Sequence, residues 1–380
     1  MGSGKKKMPF LKRARTKTAI QYNAFMGLVV RVLLARVLPH QKLKKYDLTG
    51  KNAIVTGSNT GLGKAMAMHL AQMNATVYLA CRNLTKAEVA RSDILKSAPT
   101  ATVHVLPLDT STLEDCRRFC ADWAADGGKT IDILMHNAGV GCPPTPDAIY
   151  GPDGFEHLYM TNFLSNVLLT SLLEGYLASD ARIVMTSSPG AFVGGVTNDF
   201  ALASPKNAME AGFNYKKGQK VTNSILYSNG KLMQVCLARM LTHKYRAEGK
   251  DIAVHAYTPG YTASEFFDKK GVAASTLKSD IIWFFLRTGV KFAMSPEEAG
   301  KKKTGVFLAT DHTQKVADKG GYLFERMKPM VSGVDLYDDD ILDRLWNRWC
   351  ADAGIQWDHL PVEGSPKPSG DPPTEKSEDL

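Results

Sequence analysis

The chain has 380 residues, 47 Lys or Arg against 38 Asp or Glu, a net charge of +9 and six cysteines. Such a length supports one large α/β core. The cysteines, at 81, 116, 120, 142, 236 and 350, show no paired ligand spacing, so no metal is expected; with no convincing cleavable signal peptide, a reducing compartment is.

The positive charge is confined to the front. Residues 1–46 hold 12 Lys or Arg and no acid, so the remainder is net −3. Nothing there resembles a nucleic-acid reading module, so no nucleic-acid partner is expected. Lys5 to Lys17 is polybasic, and the apolar run Ala24–Leu38 that follows is 15 residues long with Arg31 and Arg36 inside it. That falls short of the ~20 residues needed to span a bilayer. Residues 5–38 read as an amphipathic helix lying on a membrane surface, cations on anionic headgroups and Phe, Leu and Val in the acyl boundary. A mitochondrial import segment and a helix packed on the protein's own surface are the alternatives.

Asn52–Thr56 is a β-branched apolar run that predicts a buried parallel strand. It leads into Gly57-Ser58-Asn59-Thr60-Gly61-Leu62-Gly63 and then into Lys64–Ala71, with helical apolar spacing. Strand, glycine turn, helix is the context of a phosphate-binding fingerprint. Gly57 permits the turn, Gly61 lets amides approach a pyrophosphate, and Gly63 lets the helix pack closely. The next predicted strand, Ala75–Cys81, ends without the acid that grips a ribose 2′-hydroxyl; Arg82 follows, suited to a 2′-phosphate, so NADP(H) is expected over NAD(H). Cys116 and Cys120, one helical turn apart, are read as packing residues.

Further on, Tyr227 and Lys231 stand four apart in Tyr-Ser-Asn-Gly-Lys. On a helix they share a face. An ammonium so placed lowers a phenol's pKa and makes it a proton donor usable near pH 7. Gly230 between them costs about 1 kcal/mol of helix propensity against Ala. Tyr337–Trp349 predicts an amphipathic helix, acid-rich at its start, whose Trp346 and Trp349 dock on the body or on a partner. Residues 361–380 are too rich in Pro, Gly and charge to order themselves.

These motifs resemble the short-chain dehydrogenase/reductases over about residues 48–330, in the family's order. The resemblance implies a single doubly wound Rossmann-type α/β domain with a mainly parallel sheet, over 48–335. A helical extension over 336–360 follows. The resemblance adds Asp109 and Thr110, Asn137-Ala138-Gly139 and Pro259-Gly260 to the cofactor site, and gives Asn162, Ser188, Tyr227 and Lys231 catalytic roles. Tyr227 would deliver the proton, Ser188 a second hydroxyl to the reacting oxygen, Lys231 a hold on the nicotinamide ribose, and Asn162 a water of the proton relay. Ser188 is preferred to Ser187 because the second serine of such pairs is the active one.

The 39-residue gap between Ser188 and Tyr227 implies an insertion at about 198–223, bearing Lys206, Lys216, Lys217 and Lys220. Insertions there, and Pro259-Gly260-Tyr261-Thr262, are similar to the retinol-dehydrogenase-like and protochlorophyllide-reductase-like branches. No cysteine lies between Cys142 and Cys236, which argues against photochemistry. The family's substrate lid would fall at 261–298, where Ile281–Met294 is bulky and apolar. The expected activity is interconversion of a lipophilic alcohol and carbonyl such as a retinoid, sterol or fatty aldehyde. The expected place is an intracellular membrane, the endoplasmic reticulum or a lipid droplet, with mitochondria as the alternative. A homodimer is compatible with the resemblance. The competing reading is a cofactor-binding scaffold or assembly factor with little turnover; a complete Asn162, Ser188, Tyr227 and Lys231 set argues against it.

Overall fold

Eight strands form one sheet in the order β3-β2-β1-β4-β5-β6-β7-β8 in a computed structural model, which describes residues 8–26, 43–143, 148–195, 223–260, 304–313, 316 and 320–358. The strands are β1 Asn52–Thr56, β2 Thr76–Cys81, β3 Val103–Pro107, β4 Ile131–His136, β5 Leu177–Thr186, β6 Ala253–Thr258, β7 Leu323–Glu325 and β8 Lys328–Met330. All neighbours pair in parallel except β7 and β8. The central strands β1, β2, β4, β5 and β6 read as near-continuous buried runs because helices cover both faces of the sheet.

One face carries α1 (Phe10–Phe25), α4 (Leu113–Ala125), α5 (His157–Tyr159), α6 (Ser165–Leu173), α7 (Asn223–Ala247) and α9 (Asp339–Ala353). The other is covered by α2 (Gly61–Ala71), α3 (Leu84–Ser97) and α8 (Thr304–Thr310). The order reverses between β1 and β4, and in such a sheet the crevice beyond the strand ends at that reversal is where a ligand binds. Cys116 and Cys120 lie on the buried face of α4, as expected of packing residues.

The N-terminal end differs from expectation, and the C-terminal end resolves one of the alternatives. The described N-terminal helix begins in the basic stretch, at Phe10, not in the apolar run; residues 27–42 lie outside the described residues. Its inner edge packs on the body, with Ile20 and Asn23 buried and Asn23 donating to the Val331 carbonyl at 2.9 Å. Phe10, Leu11, Tyr22 and Phe25 are exposed among its cations. Among the described residues no helix is long and apolar enough to cross a membrane. At the other end, Trp346 and Trp349 dock on the body: Trp349 meets Phe163 edge-on at 4.6 Å. The 198–222 part of the insertion, the 261–298 lid with Ile281–Met294, and the 361–380 tail lie outside the described residues.

Candidate active site

The glycine turn joins β1 to α2 at the sheet's reversal point. Gly57 and Gly61 have φ of +63° and +59°, the left-handed region that glycine enters without a Cβ penalty. A Cβ on Gly63 would lie 2.4 Å from Asn137 Nδ2 and 2.5 Å from the Gly57 carbonyl, so only glycine fits. Thr60 precedes α2 in an extended conformation and gives it no side-chain cap. Uncapped amides at a helix start, beside a turn built for close approach, suit a pyrophosphate. Ser58 is buried, its hydroxyl donating to the Val55 carbonyl at 2.7 Å, so it holds the turn.

Asn137 and Ala138 are braced across the crevice. Both backbone amides donate to Thr56 Oγ1, at 3.0 and 2.9 Å, and Asn137 Nδ2 donates to the Thr56 and Gly57 carbonyls. Beyond β2, Arg82 faces Asp109 at 3.6 Å; the arginine is 70% exposed, while one Asp109 oxygen accepts from the Ser111 amide and hydroxyl. An exposed pair at that distance is worth about 0–1 kcal/mol, so Arg82 is free to turn to an anionic ligand. Thr110 is buried beside it, and Pro259-Gly260 ends β6 on the same side of the sheet.

The proposed reacting groups meet a step away. Ser188 follows β5 and starts a short 3-10 turn, Pro189–Phe192, its hydroxyl accepting from the Gly190 amide at 3.2 Å. The Tyr227 hydroxyl hydrogen-bonds with Ser188. Ser187 instead turns inward and donates to the Lys231 carbonyl at 2.7 Å, locking α7 to β5. Lys231 is buried; its ammonium donates to the Thr186 carbonyl at 2.8 Å and lies 5.7 Å from the centre of the Tyr227 ring. Asn162 sits in a π turn, Met160–Leu164, with its side chain spent on Val140: Oδ1 accepts from the Val140 amide at 2.7 Å and Nδ2 donates to its carbonyl at 3.0 Å. Gly139 fits between the two, since a Cβ there would stand 3.0 Å from Asn162 Oδ1 and 3.6 Å from Lys231 Nζ.

Burial dominates the electrostatics. It pushes the Tyr227 phenol well above its ordinary range, and the Ser188 hydrogen bond pulls the other way without prevailing. Lys231 is pulled down to about 7 by burial. The depressed phenol expected from Tyr-x-x-x-Lys is therefore not what this site holds, because desolvation disfavours the charged form of both partners.

Several neighbours carry no motif. Cys142 acts on Tyr227 electrostatically, and burial raises its own thiol to about 12. Glu156 is buried, accepts from the Leu158 and Tyr159 amides, and is held near 7 by burial. Gln234 touches Lys231 and the Asn162 carbonyl. Only Gln234 left a trace in the sequence, standing three residues past Lys231 on the same helical face.

Residues 51–211 match the short chain dehydrogenase family. The chain is 30% identical to retinol dehydrogenase 13 of Homo sapiens, over 82% of this chain and 87% of that protein. It is 34% identical to retinol dehydrogenase 11 of Homo sapiens, over 82% and 88%. Its fold matches a short chain dehydrogenase of Escherichia coli solved with NADPH, at a TM-score of 0.52 and 20% identity, over 75% of this chain and 100% of that one.

Proposed function

The chain belongs to the short-chain dehydrogenase/reductase family, on its retinol-dehydrogenase-like branch, and is an alcohol/carbonyl oxidoreductase; on that premise we propose how its residues divide the work. The substrate is a lipophilic alcohol/carbonyl pair such as a retinoid, sterol or fatty aldehyde, a reading supported by relatives named retinol dehydrogenases. The cofactor is NADP(H), which supplies or takes up the hydride. Support for it comes from Arg82, which follows Cys81 at a strand end that lacks the ribose-binding acid, and from a structural neighbour solved with NADPH.

Gly57, Asn59, Thr60, Gly61, Leu62 and Gly63 cradle its pyrophosphate, with Ser58 fixing the turn. Arg82 takes the 2′-phosphate, Asp109 and Thr110 flank the adenine, and Asn137, Ala138, Gly139, Pro259 and Gly260 line the nicotinamide end.

The observation that carries this reading is the Tyr227 hydroxyl on the Ser188 hydroxyl with buried Lys231 one helical turn away. In the reducing direction the substrate oxygen gains negative charge as hydride reaches carbon. Ser188 donates a hydrogen bond to that oxygen and Tyr227 gives it a proton, which is stabilisation where charge develops. Lys231 then faces the phenolate left on Tyr227 and offsets its charge until solvent returns the proton. Oxidation runs the same steps backwards. Residues 48–335 form the catalytic domain and 336–360 its extension. The basic residues and exposed Phe10, Leu11, Tyr22 and Phe25 of the front segment rest on an anionic membrane surface, that of the endoplasmic reticulum or a lipid droplet.

The test is NADPH consumption by detergent-solubilised protein with retinal, sterol ketones and long-chain aldehydes. Tyr227→Phe should lower kcat by about 10²–10⁴ and leave NADPH affinity unchanged. Arg82→Ala should weaken NADPH by about 10- to 100-fold and leave NADH alone. A Tyr227→Phe enzyme turning over at the wild-type rate would remove Tyr227 as the proton donor.

A further inference from the structure

Gln234 is fully buried on α7. Its Nε2 donates to the Asn162 main-chain carbonyl at 2.9 Å and to Asn166 Oδ1 at 2.9 Å, while its Oε1 accepts from Lys231 Nζ at 3.4 Å. One side chain thus joins the helix of Tyr227 and Lys231 to the π turn of Asn162. That carbonyl belongs to a turn whose wider pitch departs from the α ladder, a feature common at functional sites.

We propose that Gln234 is a positioning residue for the Tyr227–Lys231 pair: its amide oxygen holds the Lys231 ammonium and its amide nitrogen anchors that ammonium's helix to the π turn. An ammonium has three donors and no acceptor. One goes to the Thr186 carbonyl and one to Gln234, which leaves the third for the cofactor ribose. An amide keeps its protons at neutral pH, so Gln234 orients and stabilises Lys231 without relaying protons itself. The inference rests on the reading that Lys231 grips the cofactor.

On this proposal the Lys231 ammonium is held by neutral oxygens. Among the described residues the titratable groups near it are Tyr227 on its own helix, Cys142 beyond Tyr227, and Tyr257, whose hydroxyl accepts from Thr186 Oγ1 at 3.3 Å. Among the described residues no carboxylate acts on it, and burial holds it near 7. Removing an acceptor should then lower the ammonium's pKa further, and supplying a carboxylate should raise it.

NADPH binding to the full-length protein, followed by cofactor fluorescence across neutral pH, tests this. Wild type should lose affinity as pH rises through the Lys231 titration, and Lys231→Met should lack that inflection. Gln234→Leu should move it down by about one pH unit, the size expected for a lost bond to a charged group. Gln234→Glu should move it up by a similar amount, a direction that lost packing does not produce. Should Gln234→Leu fail to fold by thermal unfolding, Gln234→Met replaces it, and Gln234→Glu decides by itself if neither folds. A Lys231-dependent inflection that stays put in the Gln234 variants overturns the proposal. Wild type that binds no NADPH, or an inflection that survives Lys231→Met, sinks instead the reading beneath it.

Discussion

At Tyr227 two effects oppose each other on one hydroxyl: burial raises the phenol, and the Ser188 hydrogen bond lowers it. The helical spacing to Lys231 was legible in the sequence, but the depth of the pair was not, because desolvation depends on what the rest of the fold lays over it. Glu156 shows the same rule with a consequence for stability. Its folded pKa of about 7 stands above its ordinary value of 4.5, so the folded state binds more protons between the two. Stability should therefore fall as pH rises across that window, by roughly 3 kcal/mol. Urea unfolding should find Glu156→Gln with a flatter profile from pH 4.5 to 7 than the wild type. An identical decline in both would remove Glu156 as the cause.

Among the elements, α7 and the Met160–Leu164 π turn do most to build the site. The sequence showed a helix at Tyr227 and an asparagine at 162, but not that the asparagine's side chain would be spent on Val140 and its carbonyl on Gln234. Pairings across 22 and 72 residues have no local signature. Gly230 can be judged only here. It is buried, yet beyond its chain neighbours and its own helical backbone no described atom lies within 4 Å of where its Cβ would be. Gly230→Ala should thus raise stability by about 0.5–1 kcal/mol through helix propensity, read as a higher Tm. A lower Tm would mean that residues beyond those described fill that space. The N-terminal helix makes the complementary point: its charge was legible, but Ile20 and Asn23 needed a partner surface before they could be buried.

Across the whole molecule, the added C-terminal helix supports the site from behind. Trp349 packs on Phe163, next to Asn162, and the Tyr159 hydroxyl donates to Asp352 at 3.0 Å. Trp346 donates to the Trp357 carbonyl, Trp357 to Glu174, and Gly354 closes the helix in the left-handed conformation, its carbonyl accepting from Arg117. Trp349→Ala should cost about 3–5 kcal/mol in urea unfolding and reduce turnover by loosening the π turn. Unchanged stability would mean that the extension merely decorates the body.

Local spacing and composition were enough to specify the strand–turn–helix of the glycine turn, the order of the motifs and the confinement of basic charge to the front. Folding settles the rest: which serine faces Tyr227, that burial rather than Lys231 governs the phenol, that Gln234 bridges Lys231 and the Asn162 carbonyl, and that the tryptophans turn inward. Each of these depends on groups far apart in the chain sharing one dry space, and desolvation and packing exist only once that space has closed.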